Sequence, residues 1–172
     1  GLSIFVILGT LIELVLRVWR PGLALGAALR RALGLPLSFF GGALAHLGLG
    51  VTLLGLSGLG FGAEAIATLH KGAPVEVGPY SVTLDSVGQR IGPNYKEAVA
   101  ELTVRSGGAV VAHLEPARRA FDSRDMTTTQ AGLKTLHFGQ IYVAIADPAP
   151  DGAVPARLYW KPLVTLIWLG AA

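Results

Sequence analysis

The chain contains no cysteine and few charged residues. None of its 172 residues is cysteine, so it can carry neither a disulfide bond nor thiol chemistry. Only 15% of the residues are charged and 8% are aromatic, whereas an ordinary soluble domain has about 25% charged residues. Hydrophobic residues make up 52%, and the mean hydropathy is +0.56. This composition excludes an ordinary soluble domain and predicts a membrane protein.

The longest stretch without Asp, Glu, Lys or Arg runs from Ala32 to Ala63. A helix of about 20 apolar residues crosses the bilayer core, so the stretch predicts a transmembrane helix over residues 38–61. Residues 1–18 are also apolar, interrupted only by Glu13, and predict another span. Residues 162–172 predict the start of a further span. We therefore expect this chain to be part of a larger, multi-span protein.

The distribution of arginine predicts the topology. The connector at residues 19–37 contains Arg20, Arg30 and Arg31 and no acidic residue, and Arg17 lies just before it. Positive loops stay on the cytoplasmic side, so the connector is predicted to be cytoplasmic. Residues 64–160 would then lie outside, in a periplasm-like compartment.

Apolar and polar residues alternate through residues 62–161, as in half-buried strands. The alternation predicts strands over residues 80–85, 97–105, 110–114, 138–145 and 153–159. Ser106, Gly107 and Gly108 supply the turn of a β-hairpin, and residues 91–95 predict a tight turn. Five or six short strands favour a small antiparallel barrel or sandwich, of which an OB-like barrel is one form. The predicted fold class is a membrane α+β protein with an inserted all-β periplasmic domain.

This β domain shows no catalytic signature. His70, His113 and His137 are far apart in sequence, and no HExxH, P-loop or GxSxG pattern occurs. His113 alternates with core-facing residues, so it is predicted to face solvent. Residues 118–125 mix positive and negative charges, which favours a solvated loop over a nucleic-acid surface. No catalytic residue and no nucleic-acid partner are predicted.

His46 is the ionisable residue of the charge-free stretch. Intramembrane ionisable residues usually face a bundle interior or a cofactor. Gly42 and Gly50 lie one turn to either side of His46 on the same helix face, where they would leave room for a flat macrocycle or another helix. Two interpretations remain open from the residues alone: a haem or proton site, and a polar contact between packed helices.

Four segments of the chain, in this order, resemble a known family. They are GALAHLG at residues 42–48, GPNY at 92–95, EPARRAF at 115–121 and KPLVTLIWLG at 161–170. Together they resemble the carboxy-terminal part of the CcmF/CycK/NrfE haem lyases of cytochrome c maturation. The resemblance covers most of the chain.

The resemblance implies a protein that receives haem from a chaperone and helps attach it to the thiols of apocytochrome c outside the membrane. Such proteins also hold a b-type haem in the bilayer between two histidines of different helices. His46 matches one of these ligands, with Gly42 and Gly50 beside it, and the second ligand is expected from a helix outside this chain. The family's Trp-rich segment is absent here, so the thioether-forming centre is expected outside this chain. The β domain has no cysteine and no nucleophile–base pair, and it is expected to dock apocytochrome c and thiol-handling subunits.

Two other functions remain open at this stage. The chain could belong to a membrane electron carrier in which His46 ligates haem b and the β domain only covers the site. It could also belong to a non-catalytic assembly scaffold in which His46 serves packing.

Overall fold

The computed structural model describes residues 1–121 and 126–172, which form two compact units. One unit is helical and consists of residues 1–60 and 163–172. The other consists of residues 61–162 and is built of β-strands. The change from continuous apolar sequence to alternating sequence therefore falls at the boundary between the units.

The helical unit contains four helices. They are α1 (Leu2–Val18), α2 (Leu25–Leu33), α3 (Leu37–Gly58) and α4 (Val164–Ala171). Gly34 caps the end of α2, and Pro36 directly precedes α3, a common arrangement because proline cannot continue a helix. Within the described residues, the stretch Leu37–Phe61 is the one helix long and apolar enough to cross a bilayer. The spans over residues 1–18 and 162–172 stay predictions.

Glycines bring the helices of this unit into close contact. A Cβ atom added at Gly50 would lie 2.5 Å from Ile7 Cγ1 of α1, and one at Gly48 would lie 2.5 Å from the Gly170 carbonyl oxygen of α4. The Thr52 hydroxyl donates a hydrogen bond of 3.4 Å to the Ile167 carbonyl. Small residues that let backbones approach are typical of helix packing in membranes. α3 is therefore packed against both α1 and α4.

The β unit is a sandwich of two antiparallel sheets. Sheet A has the order β1 (Ala63–Leu69), β10 (Val154–Lys161), β9 (Gly139–Ile145) and β8 (Gly132–Leu136). Sheet B has the order β2 (Pro74–Val77), β3 (Tyr80–Ile91), β4 (Tyr95–Ser106), β6 (Ala117–Phe121) and β7 (Met126–Gln130), and β5 (Ala109–Leu114) pairs with β4. The predicted antiparallel β domain is confirmed, with ten strands among the described residues rather than five or six.

The sandwich core consists of the apolar residues that alternate along the strands. Their side chains are at most 4% exposed: Leu69, Val82, Leu84, Leu102, Val104, Leu114, Ile141, Val143, Val154 and Leu158. Burial of one such side chain stabilises the fold by about 1.5–3 kcal/mol. The period-two pattern thus predicted correctly the buried side of β3 and of the later part of β4. At the start of β4 the prediction is wrong, because Glu97 is buried and Ala98 is only half-buried.

Two predicted turns are present. Gly107 and Gly108 join β4 to β5 with φ of 56° and 84°, a pair of positive values that a two-residue hairpin turn requires and glycine adopts freely. The Gly92 N–H donates a hydrogen bond of 2.8 Å to the Tyr95 carbonyl. This bond closes the tight turn between β3 and β4.

The prediction of a solvated loop over residues 118–125 is wrong for its first half. Residues 118–121 belong to β6, which pairs with β4 on one side and β7 on the other. Both arginines of this strand have polar partners in the sheet, so their charges did not indicate a loop. Residues 122–125, the second half, lie outside the described residues.

Trp160 fills the space beside two glycines of the sandwich. Its ring lies against Gly78 and Gly139, where a Cβ atom would overlap the indole. The Tyr80 ring packs edge-on against it with 4.8 Å between the centroids. Burial raises the pKa of the Tyr80 phenol. Trp160 thus packs within the sandwich.

Candidate functional site

His46 lies in the middle of α3 and bonds to its own helix. Its Nδ1 atom is 2.7 Å from the Gly42 carbonyl oxygen, one turn earlier. A carbonyl oxygen can only accept a hydrogen bond, so Nδ1 carries the proton and donates it. In a neutral imidazole the other nitrogen, Nε2, then keeps its lone pair. This arrangement is the usual one for histidines that bind metal, because the bond at one nitrogen orients the ring for ligation through the other.

A small cleft between α1 and α3 borders His46. Its volume is about 250 Å³, and polar and small residues line it: Thr10, Glu13, Ser38, Gly42, Ala43 and His46, beside Leu14 and Phe39. Ligand pockets usually measure about 300–1,000 Å³, so the cleft would hold only part of a macrocycle. Arg17 lies near its edge, 3.7 Å from the Glu13 carboxylate and 4.7 Å from the centre of the Phe39 ring.

The two glycines predicted beside the haem differ in their surroundings. Gly42 lines the cleft with His46, and a Cβ atom there would meet nothing within 4 Å. Gly50 is buried, and Ile7 occupies the space next to it. The geometry therefore favours Gly42 as the residue that leaves room beside the imidazole, whereas Gly50 serves the contact of α3 with α1. The role of both glycines in haem binding stays a prediction.

The residues present fit one axial ligand of a haem. His46 is exposed at the surface of the helical unit, its Nδ1 proton is satisfied, and Gly42 leaves the adjacent surface open. A neutral imidazole nitrogen is a suitable axial ligand for haem iron.

The histidines of the β unit do not come together. His70, His113 and His137 are exposed, and His113 Nδ1 lies 3.2 Å from the Thr103 hydroxyl. Across residues 1–121 and 126–172, no three His, Asp or Glu side chains are grouped so that they could hold a metal ion. The prediction that His113 is exposed is confirmed.

The two arginines of β6 have different environments. The Nε and Nη2 atoms of Arg119 donate hydrogen bonds of 2.9 and 2.8 Å to Oε2 of Glu97, which is only 8% exposed. Nη2 of Arg119 also donates to Gln130 at 2.9 Å, and the guanidinium lies 3.9 Å from the centre of the Tyr95 ring. Arg119 is thus occupied within sheet B, where it pairs with the buried carboxylate of Glu97. Arg118, in contrast, borders a groove.

This groove was not predicted from the sequence. It has a volume of about 560 Å³ and lies between strands β1, β9 and β10 of sheet A and the β6–β7 pair of sheet B. Ile66, Tyr142, Ala144 and Pro155 are among its lining residues, together with Arg118 and Arg157. These residues come from separate parts of the chain, so no local motif could have indicated the groove. Tyr142, Arg118 and Arg157, considered one at a time in the sequence, did not indicate a binding site either.

Fold and site together define a class of protein: a β-sandwich joined to apolar helices, one of which carries a histidine prepared for ligation. A family model described as the CcmF C-terminal beta-sandwich matches residues 60–162. The chain belongs to this family, as its sequence resemblance predicted.

Curated relatives agree with this assignment. The cytochrome c-type biogenesis protein CycK of Rhizobium meliloti (strain 1021) is 43% identical over 172 residues, which are 99% of this chain and 25% of the relative. The cytochrome c-type biogenesis protein CcmF of Escherichia coli (strain K12) is 30% identical over 165 residues, 94% of this chain and 26% of the relative.

A solved structure of the cytochrome c heme lyase CcmF matches with a TM-score of 0.68 and 16% identity, over 98% of this chain and 32% of that one. At this identity the match shows the fold alone. The chain spans about a quarter of the length of the curated relatives described above.

Proposed function

We propose that this chain is part of a cytochrome c maturation haem lyase and supplies His46 as one axial ligand of a membrane b-type haem. The observation that carries the proposal is the 2.7 Å hydrogen bond between His46 Nδ1 and the Gly42 carbonyl, which leaves Nε2 free. The names of the relatives, which are cytochrome c-type biogenesis proteins, support the same assignment.

In this proposal the residues of α3 have separate roles. His46 would hold the iron through Nε2, and the Gly42 carbonyl would keep the proton at Nδ1 and fix the ring. When bound, such a haem supplies one-electron chemistry, which could keep the iron of the substrate haem ferrous during ligation. The second axial ligand would come from another helix of the full-length parent protein.

The β-sandwich is proposed to dock partners rather than to catalyse. It offers no cysteine and, among its described residues, no metal-ligating cluster. Its proposed partners are apocytochrome c and the thiol-handling maturation subunits, while haem arrives through a chaperone. The proposed location of this domain is the periplasm, and the proposed parent protein is a multi-pass protein of a bacterial inner membrane.

The haem assignment can be tested with a pair of neighbouring glycines. Leucine at Gly42 would fill the space beside the imidazole, so Gly42→Leu in the full-length parent should lower the b-type Soret and α absorbance at least fivefold. Gly41→Leu is the matched control, because a Cβ atom at Gly41 also meets nothing within 4 Å and Gly41 does not line the cleft. Equal haem content in the two variants at equal protein level would contradict a haem beside Gly42.

The proposed topology gives a second test. A reporter active only in the periplasm should be inactive when fused after Arg30 and active when fused after Gly107, because the arginines of the connector retain it in the cytoplasm. A cytoplasmic reporter should give the reverse pattern. Periplasmic activity at Arg30 would reject this orientation.

A further inference from the structure

We propose that the groove beside Arg118 binds an extended segment of a partner protein, which adds to sheet B along β7 and places an acidic side chain against Arg118 and Arg157. The inference rests on the proposed docking role of the β-sandwich and gives that role a location and a chemistry.

The charge of the groove selects an anion. Two guanidinium groups, of Arg118 and Arg157, belong to its lining, and no acidic side chain does. Within the described part of the chain, Arg157 forms no ion pair. Arginine is the side chain best suited to bind a carboxylate with two parallel hydrogen bonds.

Arg118 is held in place but incompletely satisfied. Its Nη1 and Nη2 atoms donate hydrogen bonds of 2.8 Å to the hydroxyls of Thr129 and Thr127. Its Nε atom is buried and has no hydrogen-bond partner among the described residues. The Asp147 carboxylate lies 3.5 Å from Nε, but it is 74% exposed, so solvent screens the attraction. A buried donor without a partner costs free energy, which a bound carboxylate could recover after a small shift of the side chain.

The walls of the groove favour a peptide over a free ion or a nucleic acid. Ile66, Ala144 and Pro155 offer apolar surface, and Tyr142 adds an aromatic ring. A volume of about 560 Å³ lies within the usual range of about 300–1,000 Å³ for ligand sites. A nucleic acid would require a broader basic surface. An acidic side chain flanked by small apolar ones matches both the charges and the walls.

An edge strand at the groove provides the backbone partner. β7 is the last strand of sheet B, and no other strand of the described residues pairs with its outer edge. It consists of Met126, three threonines and Gln130, and thus has neither the charges nor the proline that usually protect an edge from pairing. Thr129 of β7 lines the groove. A strand added to β7 would therefore run along the rim of the groove. Addition of a peptide strand to an exposed sheet edge is a known mode of peptide recognition.

The test uses the full-length parent protein in detergent and a blocked, fluorescent peptide of sequence Ala-Val-Thr-Glu-Val-Thr-Ala. We expect binding that weakens at least tenfold for Arg157→Gln and for Arg118→Gln, and that weakens with rising salt. A peptide with Gln in place of Glu should bind at least tenfold more weakly to the unaltered protein. Lys134→Gln, on strand β8 and away from the groove, should bind like the unaltered protein.

A version of the Glu peptide with alternate backbone nitrogens methylated separates strand addition from simple charge attraction. It should lose binding at least tenfold, because a strand pairs through its N–H groups. Equal binding of the methylated peptide, competition by acetylglutamate amide at equal concentration, or no effect of Arg157→Gln would each overturn the proposal. Since Arg157 is exposed, its replacement should leave the fold intact even if Arg118→Gln does not.

The His46→Ala protein distinguishes this proposal from the haem assignment. It should bind the Glu peptide as tightly as the unaltered protein, because the groove contains no residue of the helical unit. If His46→Ala binds the peptide and keeps its full haem content, the groove proposal is supported and the haem assignment is rejected. If His46→Ala loses haem and no form of the protein binds the peptide, the haem assignment is supported and the groove proposal is rejected.

Discussion

His46→Ala in the full-length parent protein is expected to remove at least nine-tenths of the b-type haem. Alanine offers no nitrogen to the iron, and the site would lose one of its two proposed axial ligands. The hydrogen bond to the Gly42 carbonyl, 2.7 Å long in the structure, would disappear with the ring. The measurement is the reduced-minus-oxidised absorption spectrum at equal protein concentration, together with the yield of c-type cytochrome in cells that depend on this protein.

His113→Ala is the matched control for this experiment. His113 is exposed and bonds only to the Thr103 hydroxyl among the described residues, so its loss should leave the spectrum unchanged. Added imidazole should restore part of the absorbance of His46→Ala, because it can enter the vacated position and coordinate the iron. A full haem complement in His46→Ala would show that His46 is not the ligand and would favour its role as a packing residue.

The second large effect is expected at Arg119, where Arg119→Glu should destabilise the β-sandwich by about 3–5 kcal/mol. Glu97 is only 8% exposed, and removing the partner of a buried charge has a cost of about this size. The substitution also places two carboxylates side by side and removes the contact of the guanidinium with the Tyr95 ring. The measurement is the urea-induced unfolding of residues 61–162, produced as a separate chain.

Two further variants make the Arg119 experiment specific. Arg90→Glu also reverses a paired charge, but the pair of Arg90 with Glu115 is more than half exposed on both sides, so the unfolding midpoint should hardly move. The double variant with glutamine at both Glu97 and Arg119 should recover part of the lost stability, because no unpaired charge remains buried. A loss in Arg119→Glu no larger than that in Arg90→Glu would show that the Glu97 pair contributes little.

This result also bears on any test of docking by charge reversal. Reversing Arg118 and Arg119 together would combine a change at the groove with damage to sheet B, and weaker partner binding would then have two causes. Arg157 is the cleaner probe of docking, because it is exposed and lines the groove.

The sequence predicted the strands whose apolar residues alternate, because burial in a sandwich follows the same period of two. β3, β4, β5, β9 and β10 were found in this way. β1 was missed because the residues that it packs against the core include Ala63 and Ala65. Their side chains are small and directly follow an apolar run, so no clear alternation marks the strand. β7 was missed because all five of its residues are exposed, so no alternation marks it.

The sequence also predicted only part of the candidate site. His46 could be found from the sequence because an ionisable side chain inside a long apolar stretch has few explanations. The hydrogen bond to Gly42 and the contact of Gly50 with Ile7 could not be found, because they depend on the position of each atom and on packing between helices. The groove depends on five strands that are distant in sequence. Its arginines could be recognised only once the sheets had brought them together.

The pairing of β1 with β10 has a consequence for the order of events during synthesis. Ala63 lies opposite Trp160, and Leu69 opposite Val154, so the first strand of the sandwich has the last one as its sheet partner. Ribosomes add about 5–20 residues per second. The residues of β10 are therefore synthesised several seconds after those of β1, and β1 has no sheet partner until then. During this interval the hairpin of β4 and β5 can already form, because its partners are neighbours in the chain. Truncated nascent chains that stop before Val154 should therefore remain sensitive to protease along β1, and chains that extend past Lys161 should become protected there.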